Sequence, residues 1–241
     1  MPFSNVYDDL ERAKAYAKLE FPGTYYLAYR DLPAILAEHV TGRQALDFGC
    51  GAGRSTRFLK RLGFQATGID ISSSMIDLAT SADPAGAYLL VGSGDFSAFE
   101  RERFDLVFSA FAFDNIPGAV ERSRLLSGLR RLLNGRGRIV LLGSTPEIYQ
   151  HEWASFTTKD FPGNRRAKSG ETVRIVMKDV EDSRPVVDLV WFHEDYLNLF
   201  AAAELDLVAH YTPLGCANDP CRWLSETSIA PWVAYVLGGK D

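Results

Sequence analysis

The chain has 241 residues, 46% of them hydrophobic, which is enough for one domain with a full core or for one domain with a cap. Its 26 basic and 31 acidic side chains give a formal net charge of −5, and this balance disfavours a surface that wraps nucleic acid. The sequence has no run of about 18 apolar residues and no apolar signal core at its start, so we expect a cytoplasmic protein without a membrane partner.

Three cysteines fit a reducing compartment better than a disulfide scaffold. Cys216 and Cys221 are separated by four residues, in a segment that contains no histidine. This spacing does not predict a zinc site, and we expect no bound metal.

Two helices are predicted in residues 1–42. Ser4 is a candidate N-cap for a helix over 4–20, which the sequence Phe21-Pro22-Gly23 ends. A second helix is predicted by apolar residues at helical spacing, namely Leu32, Ile35, Leu36 and Val40.

Strands and helices alternate from residue 43 to residue 145. Strands are predicted at 45–49, 65–70, 88–92, 104–110 and 138–143, and helices at 54–62, 73–80 and 119–133. This alternation is typical of a parallel, doubly wound α/β sheet.

The pattern changes after residue 145. Polar, loop-rich sequence leads to predicted strands at 173–177 and 186–192, which suggests a small antiparallel cap inserted over 146–192. Residues 193–241 return to the core with a helix at 194–205 and strands at 207–211 and 231–237. The expected fold is therefore a mostly parallel sheet of seven strands, with N-terminal helices and a cap.

The most informative segment is a strand, a glycine-rich turn, a helix and a second strand that ends in an acid. Gly49, Gly51 and Gly53 allow a tight turn and a close approach of the backbone to a ligand. Asp70 stands at the carboxyl end of the second strand, where α/β sheets present a carboxylate to a ribose diol. Asp70 can also cap the following helix, and the two roles can coexist.

The spacing of the glycines in this turn distinguishes between two kinds of cofactor, a dinucleotide and a ligand with an amino-acid group. Dinucleotide sites use G-x-G-x-x-G, but here Arg54 occupies the position of the last glycine, which disfavours a nicotinamide oxidoreductase. Asp47 precedes Gly49 by two residues, and a carboxylate there suits a ligand with an amino-acid ammonium better than a pyrophosphate. The alternative for Asp47 is a solvated residue at a strand end.

The sequence from Asp47 through the glycine turn resembles the first motif of class I S-adenosylmethionine-dependent methyltransferases. Residues 68–72 resemble their second motif, 89–96 resemble the segment that lies over the adenine, and 104–109 resemble the fourth motif. The resemblance covers residues 43–145 and implies a Rossmann-like fold with S-adenosylmethionine as cofactor. It implies cofactor contacts at Asp47, Gly49, Gly51, Gly53, Asp70, Ile71, Met75, Asp95 and Phe96.

In many small-molecule relatives the N-terminal helices fold over the cofactor, so the resemblance implies a lid in residues 1–42. Tyr25 and Tyr26 offer aromatic faces to a sulfonium cation. Arg30 offers a guanidinium to the cofactor's carboxylate. The alternative is packing between helices, with Arg30 exposed.

The loop after the fourth strand lines the methyl-transfer site in such enzymes. Many relatives carry histidines or an Asn-Pro-Pro-Tyr sequence there, whereas this chain carries Asp114-Asn115, which leaves the acceptor atom open. In the cap, Trp153 is a candidate wall of an acceptor pocket, and His151 and His193 are candidate proton acceptors. A structural role is the alternative for each histidine.

These observations predict methyl transfer to an oxygen or nitrogen atom of a small-molecule metabolite. A tRNA or protein acceptor is the runner-up, and the acidic balance and compact cap disfavour it. A non-catalytic S-adenosylmethionine-binding protein is disfavoured by the full set of motifs. The acceptor and the oligomeric state stay open.

Overall fold

The computed structural model describes residues 21–101 and 103–239. The helix predicted over 4–20 lies outside the described residues. The described helices are α1 Thr24–Arg30, α2 Leu32–His39, α3 Arg54–Arg61, α4 Ser73–Ala82, α5 Ala119–Arg130 and α6 His193–Ala202. The described strands are β1 Gln44–Phe48, β2 Gln65–Asp70, β3 Ala87–Leu90, β4 Phe104–Ala110, β5 Leu133–Ser144, β6 Phe156–Thr157, β7 Thr172–Met177, β8 Val186–Leu189, β9 Leu205–Tyr211 and β10 Trp232–Gly239.

Seven strands form one sheet in the order β3-β2-β1-β4-β5-β10-β9. The first five are parallel, and β10 runs antiparallel to both of its neighbours. The central strands are apolar almost throughout because helices or loops cover both faces of the sheet. The predicted seven-stranded, mostly parallel fold is confirmed. Strands β1 and β4 are neighbours, with β2 and β3 on the outer side of β1 and β5, β10 and β9 on the outer side of β4.

Helices cover the two faces of the sheet and create two cores. One core joins α1, α2 and the cap to one face, with Leu27, Leu59 and Trp153 fully buried in it. The other joins α5 and α6 to the opposite face, where Leu126 and Phe200 are buried. Apolar residues at helical spacing thus decide which side of each helix meets the sheet.

The segment between β5 and α6 carries the small antiparallel sheet expected from the sequence. Its strands are in the order β6-β7-β8, and β7 pairs with β8 from Thr172↔Leu189 to Ile175↔Val186. The strands match the predictions at 173–177 and 186–192, except that the second ends at Leu189. The four-segment division of the chain remains a prediction.

No helix in residues 21–101 and 103–239 is long and apolar enough to cross a bilayer. The same residues contain no group of three or more histidine, cysteine or acidic side chains able to hold a metal ion.

Candidate active site

A cavity of about 190 Å³ opens at the carboxyl ends of the parallel strands. The loops after β1, β2, β3 and β4 line it, where the connections from β1 and β4 leave towards opposite sides of the sheet. Ligands of open α/β sheets bind at this kind of position. We call it the first cavity.

The glycine turn forms the floor of the first cavity. Gly49, Gly51 and Gly53 all have positive φ angles, of 70°, 53° and 79°, which L side chains rarely adopt. The amides of Gly49 and Cys50 donate to the carbonyl oxygen of Ile69 at 2.9 and 3.0 Å. The turn is therefore fixed against β2. Gly49 and Gly51 line the cavity, whereas Gly53, also a predicted cofactor contact, does not.

Asp70 braces this turn and also lines the cavity. Its Oδ2 accepts a hydrogen bond from the amide of Gly51 at 2.8 Å, and its Oδ1 accepts one from the amide of Ser72 at 2.9 Å. Each carboxylate oxygen can accept a second bond, so the carboxylate can hold the turn and a ligand hydroxyl together. Ile71 and Met75, also predicted cofactor contacts, line the same cavity.

Asp47 lies beneath the turn, and its side chain is not part of the cavity lining. It is fully buried, and its Oδ2 accepts hydrogen bonds of 2.6 Å from the hydroxyls of both Ser55 and Thr56. Its Oδ1 has no hydrogen-bond partner among the described residues. Desolvation raises the pKa of Asp47 to about 6, so this carboxylate ties β1 to the start of α3 at an electrostatic cost.

The loop after β3 lines the cavity through Val91, Gly92 and Ser93. The predicted adenine contacts Asp95 and Phe96 lie outside this lining. Asp95 is exposed, and its Oδ1 accepts from the amide of Ser97 at 3.0 Å. Phe96 packs against Phe48, with 6.2 Å between the ring centroids, and so it supports the wall from behind.

The three tyrosines of α1 lie in three different places. Tyr29 lines the first cavity, whereas Tyr25 lines a neighbouring one. Tyr26 packs against Trp223 at 6.4 Å between centroids, outside both cavities. Helix α1 thus contributes a wall to the site through one of its faces.

Arg30, the predicted carboxylate ligand, lies outside both cavities. Its guanidinium donates to Asp31 at 2.8 Å, to Asp219 at 3.2 Å and to the carbonyl oxygen of Leu214 at 3.0 Å. These bonds join α1 to the segment between β9 and β10. We therefore leave Arg30 out of the proposed cofactor site.

A second cavity, of about 50 Å³, lies between the sheet and the cap. Phe111 and Asn115 line both cavities, so the two spaces adjoin at these residues. Phe111 has a φ of 61°, and strained backbone of this kind clusters at functional sites. The second cavity has five aromatic walls, namely Tyr25, Phe111, Tyr149, Phe156 and Trp232.

Asp114 lines the second cavity and fixes the loop after β4. Its Oδ1 accepts from the hydroxyl of Tyr196 at 2.6 Å, and its Oδ2 accepts from the amide of Ser144 at 2.7 Å. Burial raises the pKa of Asp114 above its ordinary value, and the positive charge of Arg122 opposes that rise. The Arg122 guanidinium, itself buried, lies 4.1 Å from the ring centroid of Trp191.

The three cap and helix residues predicted near the acceptor line neither cavity. His151 Nε2 lies 3.0 Å from Glu147 Oε2, and His193 Nδ1 lies 2.9 Å from the hydroxyl of Tyr235. Trp153 is fully buried and donates to the carbonyl oxygen of Ile148. The functional roles of these three residues stay predictions.

Sequence reasoning missed the positions of two charged residues, one in the lining of the first cavity and one buried in the protein. Arg54 lines the first cavity, and its place directly after the third glycine was a usable signal. Glu226 is completely buried and accepts hydrogen bonds from Thr24, Ala154 and Leu224. No pattern surrounds Glu226 in the sequence, so its role depends on the tertiary structure alone.

Comparisons with known proteins agree with this geometry. Residues 46–141 match the profile of a family described as a methyltransferase domain. The chain is 29% identical over 141 residues to a demethylmenaquinone methyltransferase from Thermotoga maritima, over 53% of this chain and 60% of that protein. It is 25% identical to an N-demethylindolmycin N-methyltransferase from Streptomyces griseus, over 81% of this chain and 83% of that protein.

A third relative is named for an RNA acceptor and not for a small molecule. It is the 18S rRNA (guanine-N(7))-methyltransferase of Mus musculus, 32% identical over 51% of this chain and 50% of that protein. Among solved structures, a protein from Pyrococcus horikoshii OT3 has a TM-score of 0.66 at 18% identity, over 95% of this chain and 99% of that chain, and shares the fold. The match to the methyltransferase-domain family thus covers residues 46–141, about two fifths of the chain, and it indicates S-adenosylmethionine as the cofactor of this domain.

Proposed function

We propose that this protein transfers a methyl group from S-adenosylmethionine to an oxygen or nitrogen atom of a small-molecule metabolite. The observation that carries the proposal is the contact between the two cavities at Phe111 and Asn115. A small acceptor in the second cavity would face the first cavity directly. When bound, the cofactor supplies an activated methyl group on its sulfonium sulfur.

The residues of the first cavity fit this cofactor. Asp70 offers carboxylate oxygens to the ribose hydroxyls, and Ile71 and Met75 offer apolar contacts to the adenine. A side chain at Gly49 would collide with Ala112, so glycine lets the loops after β1 and β4 approach each other closely at the edge of the cavity. The positive N-terminal end of α3 also faces the turn and favours a negatively charged group.

The second cavity fits a small acceptor. Five of its lining residues are aromatic, and Ile175, Met177 and Val186 of the cap add apolar surface on the cap side. Holding two reactants together in a dry site is a large source of rate in transfer reactions. Among its described lining residues, the carboxylates able to accept a proton from the acceptor are those of Asp114 and Asp188.

A small acceptor is favoured over a macromolecular one because the second cavity is narrow and covered by the cap. The relative in S. griseus is named for a small molecule and the one in M. musculus for an rRNA, so names alone leave both classes open. The net charge of −5 adds no attraction for RNA.

The proposal is tested first by binding and then by product analysis. Calorimetry should detect S-adenosylhomocysteine but not NAD. The protein is then incubated with S-adenosylmethionine and a metabolite panel, or with total RNA, and methylated products are identified by mass spectrometry. Methylation of RNA with no methylated metabolite would contradict the small-molecule assignment.

A cavity-filling variant ties the activity to the second cavity. Met177→Phe adds volume to a residue that lines only this cavity, so turnover of an identified acceptor should fall while affinity for S-adenosylhomocysteine is retained. Val208→Phe, on the exposed side of β9, is the control. Equal turnover in the wild type and Met177→Phe would contradict the assignment of the acceptor to this cavity.

A further inference from the structure

A buried guanidinium contacts the side chains that hold Asp114. Arg122, on α5, is 1% exposed, and its Nε and Nη2 atoms have no hydrogen-bond partner among the described residues. A charged group that is buried without hydrogen bonds is costly, and native proteins rarely keep one without some gain. An uncharged side chain of similar length would fill the same volume at a lower cost, so the charge of Arg122 itself needs an explanation.

Two aromatic rings hold the guanidinium of Arg122, and the same two side chains hold Asp114. The Arg122 Cζ lies 4.1 Å from the ring centroid of Trp191 and 4.6 Å from that of Tyr196, within the range of a cation–π contact. Trp191 Nε1 donates to the backbone carbonyl oxygen of Asp114 at 3.1 Å, and the Tyr196 hydroxyl donates to Asp114 Oδ1 at 2.6 Å. Arg122 therefore supports both the main chain and the carboxylate of Asp114 through these rings.

The charge of Arg122 acts on both partners of the hydrogen bond between Tyr196 and Asp114. Burial raises the pKa of each of these two groups, and the positive charge of Arg122 opposes the rise in both. The charge thus favours the ionised form of Asp114 and makes the phenol a stronger donor. A hydrogen bond to an ionised carboxylate is shorter and stronger than one to a neutral group, which agrees with the distance of 2.6 Å.

The other titratable groups around Asp114 and its neighbours come from the segment after β5 and from β8, α6 and β10. They are Tyr149, Asp188, His193, Tyr196 and Tyr235. Burial raises the pKa of the three phenols, so they are neutral at ordinary pH. Asp188 accepts from the Tyr149 hydroxyl at 3.2 Å, and His193 Nδ1 lies 2.9 Å from the Tyr235 hydroxyl. Among these described groups, the permanent positive charge that acts on Asp114 is that of Arg122.

We infer that Arg122 is a positioning residue for methyl transfer, because it keeps the Asp114 carboxylate ionised and fixed beside the acceptor. Asp114 lines the second cavity, whereas Arg122 lines neither cavity and so acts through Asp114. When the acceptor atom bonds to the methyl carbon, the electron pair of the broken C–S bond stays on sulfur. The proton of the acceptor passes to a carboxylate oxygen of Asp114, which must be ionised to take it.

The role of Arg122 rests on the proposed function, through the role given to Asp114, but its first test needs no acceptor. Carbon NMR follows the titration of the Asp114 carboxyl in the free wild-type protein and in Arg122→Met, Arg122→Gln and Arg122→Lys. Asp114→Asn identifies the signal by its absence. Arg130→Met is the matched control, because Arg130 lies on the same helix and pairs with Glu204 at 2.6 Å. Thermal unfolding shows which variants are folded.

In the two neutral variants, Asp114 should keep its proton to a pH higher by about one unit or more, because the opposing positive charge is gone. Arg122→Gln keeps polar groups at this position, so the test stands if methionine is not tolerated there. Arg122→Lys should titrate close to the wild type, and Arg130→Met should titrate as the wild type does. Affinity for S-adenosylhomocysteine, measured by calorimetry, should be unchanged in all of them, since Arg122 lines neither cavity.

With an identified acceptor, kcat of the neutral variants at pH 7 should fall by about 10-fold or more, since positioned proton transfer contributes roughly 10²–10⁴-fold. KM for S-adenosylmethionine should be unchanged. The rising limb of kcat against pH should move to higher pH by the same amount as the titration of Asp114. Arg122→Lys should recover most of kcat and return the limb towards the wild-type position.

Two results would overturn the inference. One is an unchanged titration of Asp114 in a folded neutral variant, which would show that Arg122 only packs against the rings. The other is a shifted titration with an unshifted dependence of kcat on pH, which would show that the charge of Asp114 takes no part in the transfer. Absence of any methylated metabolite with the wild type would contradict the proposed function and this role with it, whereas normal wild-type turnover with either result above contradicts the role of Arg122 alone.

Discussion

Replacing Asp70 tests the link between the glycine turn and the cofactor. Asp70→Ala removes the carboxylate that we propose accepts two hydrogen bonds from the ribose hydroxyls, each worth about 1.5–3 kcal/mol. The lower value gives a total of about 3 kcal/mol, or roughly a 100-fold rise in Kd for S-adenosylhomocysteine. Asp70→Asn keeps one acceptor oxygen without the charge, so its loss should be intermediate.

The same change also removes the acceptor for the amides of Gly51 and Ser72. Both hydrogen bonds are partly buried, so we expect a loss of about 1–2 kcal/mol in the free energy of unfolding. Calorimetry measures the affinity and urea unfolding measures the stability, with Asp77→Ala, an exposed residue of α4, as the control. If Asp70→Ala lowers stability but binds S-adenosylhomocysteine with the affinity of the wild type, Asp70 only braces the turn.

Three further predictions follow from buried carboxylates. Burial raises the pKa of Asp47 to about 6, so the unfolded state loses this proton at lower pH than the folded state. Stability should therefore fall by about 2 kcal/mol from pH 4 to pH 7 relative to Asp47→Asn, as measured by urea unfolding. A flat difference between the two proteins would refute this. Glu226→Ala should lower the free energy of unfolding by about 3 kcal/mol, because buried donors of Thr24 and Ala154 lose their acceptor, whereas the exposed Glu181→Ala should not. Asp114→Asn offers one acceptor oxygen to the two donors of Tyr196 and Ser144, so thermal unfolding should show a loss of about 2 kcal/mol, and an unchanged melting temperature would contradict that bonding pattern.

Local patterns predicted the fold well because its elements have strong periodicity. Strand β2 was predicted at its observed bounds of 65–70, and α3 differs from its prediction by one residue. Strand β5 begins at Leu133, five residues before its predicted start, because Leu133 already pairs with Phe104 of β4 and the register then shifts before Arg138 pairs with Leu106. Sequence periodicity detects a strand through the burial of its side chains. Because Gly135 and Arg136 at the start of β5 are exposed, no such pattern marks this part of the strand.

The site was predictable where the chemistry belongs to one short segment. Gly49, Gly51 and Asp70 belong to one strand–turn–helix–strand unit, and all three line the first cavity. The sequence around Arg30 suggested a cofactor ligand, but Arg30 binds Asp219, which is 189 positions away and which no local pattern could identify as its partner. The buried position of Glu226 depends in the same way on distant groups, which no local pattern records.

The position of β10 in the sheet also determines when the site can be completed during synthesis of the chain. This strand lies between β5 and β9 and is the last strand described, so β9 can join the sheet only after β10 has left the ribosome. Trp232 of β10 donates to the carbonyl oxygen of Thr24, and its ring stacks on Tyr25 of α1. The strands that carry the glycine turn and Asp70 emerge early, whereas the stacked pair of Tyr25 and Trp232 forms only once β10 has emerged. Every residue that lines the first cavity is therefore synthesised well before Trp232, which lines the second cavity.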